Sequence, residues 1–141
     1  MFYTSPMFFE WEKEHLLRDQ WHCVGRVDEL PEVGDYLTTV ILDEPVLVVR
    51  SAAGPVALSN VCRHRGMPIA TGQGSARRFV CSYHAWTYGL DGALLRAPRM
   101  ENAGSIPPGA PCHGSGCATG TGSCMSASAL RPRWNWAGCT T

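Results

Sequence analysis

Two short segments carry residue types that bind metal. They are Cys62-Arg63-His64 and, 16 residues further on, Cys81-Ser82-Tyr83-His84. Each follows a short apolar run, Val56–Val61 and Phe79–Val80, and turn-forming Gly66 follows the first. Each loop thus offers one thiolate and one imidazole. A zinc finger pairs like with like, as C-x2–4-C and H-x3–5-H. The mixed pairing here suits a [2Fe–2S] cluster with two Cys on one iron and two His on the other. One donor of each kind per loop lets the loops clamp the cluster from opposite sides. Replacing two anionic thiolates by neutral imidazoles makes the reduced state less costly, which lifts such centres to about −150 to +300 mV. Two blander readings of the same residues are a structural zinc site and a pair of buried Cys beside hydrogen-bonded core His.

The wider stretch NVCRHRGMPIATGQG…FVCSYHAWTYGLDGALLRAPRM resembles the Rieske domain of ring-hydroxylating oxygenase α subunits. The opening FYTSPMFFEWEKEHLLRDQWHCVGRVDELPEVGDY is similar to that family's N-terminal segment, so the likeness spans residues 2 to about 103. The resemblance implies that Cys62, His64, Cys81 and His84 are the cluster ligands. It also implies electron transfer from a ferredoxin or flavin reductase to a mononuclear iron that activates O2, with the two imidazole edges as the exit. The family often forms homo-oligomers. Met67 and Tyr83 stand where respiratory Rieske proteins carry a pair of disulfide-forming Cys, and Trp86 stands where those proteins have a Ser that donates to a cluster sulfur. Tyr88 keeps an aromatic hydroxyl. Fewer donors to sulfur predict a potential in the lower part of the range. Ser82 and Ala85 replace a Pro and a Gly of the usual family loop. If position 85 needs a positive φ, alanine there costs on the order of 1 kcal/mol or more.

These loops need a scaffold, and the chain of 141 residues is long enough for one domain. With 45% hydrophobic residues it can build one core. Twelve basic residues balance twelve acidic ones, which argues against a general nucleic-acid binder. No apolar run reaches the ~18–20 residues of a membrane span, and the acid-containing start is unlike a signal peptide. A cytoplasmic location is the expectation. Seven Cys, an odd number, make a disulfide framework a poor first reading. Cys23 reads as a small buried hydrophobe, and His15 and His22 as surface or hydrogen-bonded groups. Cys112, His113, Cys117 and Cys124 fit no ligand spacing.

Ser5-Pro6 starts a helix running to about Gln20, with Phe9, Leu16 and Leu17 on its buried side. Strands are expected at Trp21–Val27, Tyr36–Leu42, Val46–Arg50, Val56–Ser59 and Arg78–Val80. A further hairpin joins Trp86–Tyr88 to Ala93–Leu95 through Gly89-Leu90-Asp91-Gly92. The expected fold is mainly β: an N-terminal segment (1–35), then a small antiparallel β sandwich of Rieske type (36–103). A low-complexity tail (104–141), expected to be disordered, completes the chain. The tail has two Arg and no acid, and the likeness stops near Ala103; this reads as a truncated or frameshifted product. No acid lies beyond Glu101, so a 2-His-1-carboxylate iron site downstream of the loops is not expected. A free-standing Rieske-type ferredoxin and a zinc-stabilised interaction module are the alternative functions.

Overall fold

The computed structural model describes residues 2–99, and the backbone of three later strands at 114–115, 117–119 and 124–128. Residues Cys112 and His113 lie outside the described residues, and Cys117 and Cys124 are placed only as strand backbone.

Helix α1 spans Pro6–His15, with proline at its first turn and Ser5 as its N-cap. The Ser5 hydroxyl accepts the Phe8 N–H at 3.4 Å. The helix ends earlier than its sequence suggests, and a short 3-10 turn, Leu17–Asp19, follows. No described residue of α1 is buried. Phe9 is 51% and Leu16 48% exposed, which corrects the buried side expected for them. One tie between the helix and the sheet is polar. Lys13 Nζ bridges Glu10 at 2.8 Å and Asp43 at 2.7 Å, tying α1 to the turn between the next two long strands.

Strand β1 (Trp21–Arg26) precedes the main sheet. β2 (Asp35–Ile41), β3 (Glu44–Ser51) and β4 (Gly54–Ser59) form two consecutive hairpins. β5 (Gln73–Ser75) adds antiparallel to the outer side of β2. A second, smaller sheet holds β6 (Phe79–Val80), β7 (Thr87–Tyr88) and β8 (Leu94–Arg96), in that order. β3 is central and buried on both faces, which explains its uninterrupted apolar run. Leu47 and Val49 join Leu58, Phe79, Trp86, Tyr88 and Leu94 in the core between the sheets. Val46 and Val48 face the other way, onto Leu30, Ile41 and Ala57.

Three short strands come from the tail: β9 (Gly114–Ser115), β10 (Cys117–Thr119) and β11 (Cys124–Ser128). β9 pairs with β4, and β11 pairs with β1 and β10. The edges of β1 and β4 offer backbone donors and acceptors that Gly, Ser, Ala or Cys can meet as well as any residue. Cys23 on β1 is exposed and disulfide-bonded, not a buried free thiol.

One glycine is fixed by close approach. Gly34 has φ +102°, donates to Arg50 O at 2.8 Å and accepts from Ala76 N at 2.9 Å. A Cβ there would sit 2.5 Å from the Ala76 carbonyl oxygen. Gly34→Ala is expected to destabilise the fold by about 2 kcal/mol or more, through strained φ and collision with backbone. Urea denaturation should show it as a lower midpoint at unchanged slope.

Candidate metal centre

The two Cys/His segments become two loops at one end of the sandwich. The first leaves β4 and the second joins β6 to β7. Their backbones match. In the first, Cys62 N–H donates to Met67 O at 2.7 Å and Gly66 N–H to Cys62 O at 2.9 Å. In the second, Cys81 N–H donates to Trp86 O at 2.8 Å and Ala85 N–H to Cys81 O at 3.0 Å. The residue four after each cysteine has a positive φ, +71° at Gly66 and +56° at Ala85. The frames are thus alike, but the imidazole enters two residues after Cys62 and three after Cys81. Position 85 does need the left-handed conformation.

The four donors are graded in depth. Cys62 and Cys81 are free thiols, 2% and 3% exposed, while His64 and His84 are half-buried. The imidazoles lie edge to face with centroids 4.6 Å apart. His84 Nδ1 is buried and has no hydrogen-bond partner among the described residues. A buried ring nitrogen without such a partner is free to act as a metal ligand. Desolvation, then the neighbouring His64, Arg65 and Arg99, hold the His84 pKa below the ordinary histidine value. That favours the neutral imidazole, the form that ligates metal. Among the described residues no three His, Cys, Asp or Glu side chains are close enough together to hold a single ion. Two pairs of donors, one pair deep and one shallow, fit a two-iron cluster with a different donor pair on each iron.

The surroundings hold these donors in place. Tyr88 Oη lies 3.3 Å from Cys62 Sγ and accepts the Arg63 N–H at 3.1 Å. When Cys62 is a thiolate, only the phenol can donate across that contact. Trp86, 1% exposed, stacks on His64 with centroids 4.9 Å apart and planes 9° off parallel. Tyr83 packs against His84 at 3.9 Å. A residue that the motif did not reveal closes the base of the first loop. Buried Asn60 donates from Nδ2 to Ala70 O at 2.8 Å, and its Oδ1 accepts from Ile69 N and Ala70 N at 3.1 and 2.9 Å. Its only sequence signal is a lone Asn at the end of an apolar strand.

The other histidines are elsewhere. His15 Nδ1 contacts Trp11 O at 2.8 Å, and His22 Nε2 contacts Leu17 O at 2.8 Å. Neither belongs to the loop pair.

Comparison with known proteins agrees with this geometry. Residues 20–107 match the model of the Rieske [2Fe-2S] domain. The chain belongs to the Rieske [2Fe-2S] domain family. Members carry a [2Fe–2S] cluster, and the donor set just described fits one. This Rieske domain is 45% identical over 98 residues to the glycine betaine monooxygenase oxygenase subunit of Chromohalobacter salexigens, covering 68% of this chain and 22% of that protein. It is 40% identical over 107 residues to the carnitine monooxygenase oxygenase subunit of Escherichia coli strain K12, covering 74% and 29%. It superposes on the quaternary ammonium Rieske monooxygenase CntA bound to L-carnitine with a TM-score of 0.84 and 30% identity, covering 93% of this chain and 38% of that one. The chain spans less than a third of the curated relatives' length, and matches the N-terminal part of Rieske oxygenase α subunits. No described helix is long and apolar enough to cross a membrane.

Proposed function

We propose that residues 36–103 form an electron-transfer module in which Cys62 and Cys81 hold one iron and His64 and His84 the other. The observation that carries this is the pair of matched loops, which bring two buried free thiols and two adjacent imidazoles to one end of the sandwich. When bound, the cluster supplies one-electron redox chemistry. The chain's own residues do the rest. Leu47, Val49, Phe79 and Leu94 pack in the same buried core as the two cysteines and keep water from them. Trp86 fixes the plane of His64. The half-buried imidazoles are the part of the site that a redox partner can reach.

That partner is proposed to be a ferredoxin or flavin reductase on the donor side, and the iron centre of an oxygenase on the acceptor side. Arg65 and Arg99 act electrostatically on His84, and Arg63 adjoins the first imidazole in sequence. Cations beside the exposed edges suit a carboxylate-bearing partner surface, whose approach they would steer in a salt-dependent way.

The test is aerobic purification of the full chain, with iron and sulfide quantitation, visible absorption and electron paramagnetic resonance after dithionite. Equal, stoichiometric iron and sulfide and a brown-red, reducible protein are expected. A colourless protein holding zinc would overturn the reading, because zinc has no redox chemistry.

Tyr88→Phe tests how the site tunes itself. Losing a donor to the Cys62 thiolate destabilises the reduced state more than the oxidised one. For a one-electron couple about 59 mV corresponds to a tenfold change in equilibrium. The midpoint of the variant is expected to fall by several tens of mV. A redox titration with an unchanged or raised midpoint contradicts the assigned direction of that hydrogen bond.

A further inference from the structure

The ligand loops share a backbone frame but not a backbone energy. Gly66 and Ala85 occupy the same place in that frame, each with positive φ and each donating back to the preceding cysteine's carbonyl. Glycine enters this region freely. An alanine Cβ crowds the following carbonyl there, which shifts the local equilibrium by a factor of about five or more. Packing does not account for the choice of glycine in the first loop, since a Cβ on Gly66 would meet nothing within 4 Å. The difference at this position therefore lies in φ. The Thr87 hydroxyl donates to Ala85 O at 3.1 Å and holds the strained peptide in place. The first loop carries no such strain, and Asn60 closes its base with three side-chain hydrogen bonds.

We infer that the Cys81–Trp86 loop is the compliant half of the clamp, and that Ala85 is the positioning residue that sets its compliance. Opening of the site then begins on the His84 side, before the His64 side. This rests on the ligand assignment proposed above, since both loops must grip one group.

The experiment is amide hydrogen exchange by mass spectrometry on the full, iron–sulfur-loaded chain, following peptides that cover 62–67 and 81–86. Rates are corrected for intrinsic exchange, and wild type is compared with Ala85→Gly and Gly66→Ala. Cluster loss to an excess of chelator is followed by visible absorbance on the same samples. In wild type, 81–86 should exchange about fivefold faster than 62–67. Ala85→Gly should slow 81–86 about fivefold, leave 62–67 unchanged and slow cluster loss. Gly66→Ala should speed the first loop alone. Equal slowing of both loops in Ala85→Gly would mean general stabilisation and overturn the inference, as would an unchanged 81–86. A chain that takes up no cluster refutes the ligand assignment instead. The exchange difference between the loops, measured on that chain, still decides compliance.

Discussion

Cys81→Ser is expected to leave a folded chain that no longer retains iron. The loop around Cys81 is closed by backbone hydrogen bonds to Trp86 and Ala85, and these do not involve the side chain. Serine is close to isosteric, so the core around position 81 should survive. What it removes is the soft, anionic donor. An alcohol stays protonated where a thiol ionises, and it is a poor ligand for iron in a sulfide environment. Changing groups that merely support a ligand costs 10–100-fold in metal affinity, so losing a ligand should cost at least about that. Iron and sulfide should fall together to a small fraction of wild type, with far-ultraviolet circular dichroism preserved. Full iron content in this variant would remove Cys81 from the ligand set, and the same comparison applies to Cys62, His64 and His84.

Trp86→Ala should produce the largest loss of stability. The indole is 1% exposed and belongs to the core that joins the two sheets. It also stacks on His64, so one side chain links the core to a proposed ligand. Truncating a buried tryptophan costs about 3–5 kcal/mol, from lost transfer energy and the cavity left behind. That is a large share of the roughly 5–15 kcal/mol that holds a domain together. Thermal unfolding of the loaded protein should therefore fall by more than about 10 °C. Leu95→Ala, at an exposed strand position, is the control and should change the midpoint little. A Trp86→Ala variant as stable as that control would mean that the sandwich does not depend on this anchor.

The candidate donors stand out in the sequence because ligand chemistry admits few residue types. Cys and His at short, repeated spacings have little other use, and the apolar runs before them marked the strands that deliver them. The central hairpins were legible too, since β-branched runs broken by Asp-Glu-Pro and Ala-Gly-Pro leave few alternatives. Other features are carried by the backbone, and side-chain patterns do not record them. β5, Gln-Gly-Ser, has no apolar alternation, because it is an exposed edge held by main-chain pairing to β2. The common frame of the two loops is a set of peptide hydrogen bonds, hidden behind unlike sequences. Asn60 works through three contacts that only the closed loop creates. Helix α1 shows the opposite failure. Its apolar residues hint at a buried face, but periodicity reports amphipathicity and not what covers it.

The exposed apolar side chains of this region have a practical consequence for handling the protein. Tyr3, Met7, Phe9, Trp11, Leu16 and, just beyond the helix, Trp21 are all large, apolar and solvent-facing. The formal charge is zero at pH 7, so little long-range repulsion keeps molecules apart in neutral buffer. Sticky surface without colloidal repulsion favours clumping. Dispersions of this protein should scatter more light near neutrality than in mildly alkaline solution.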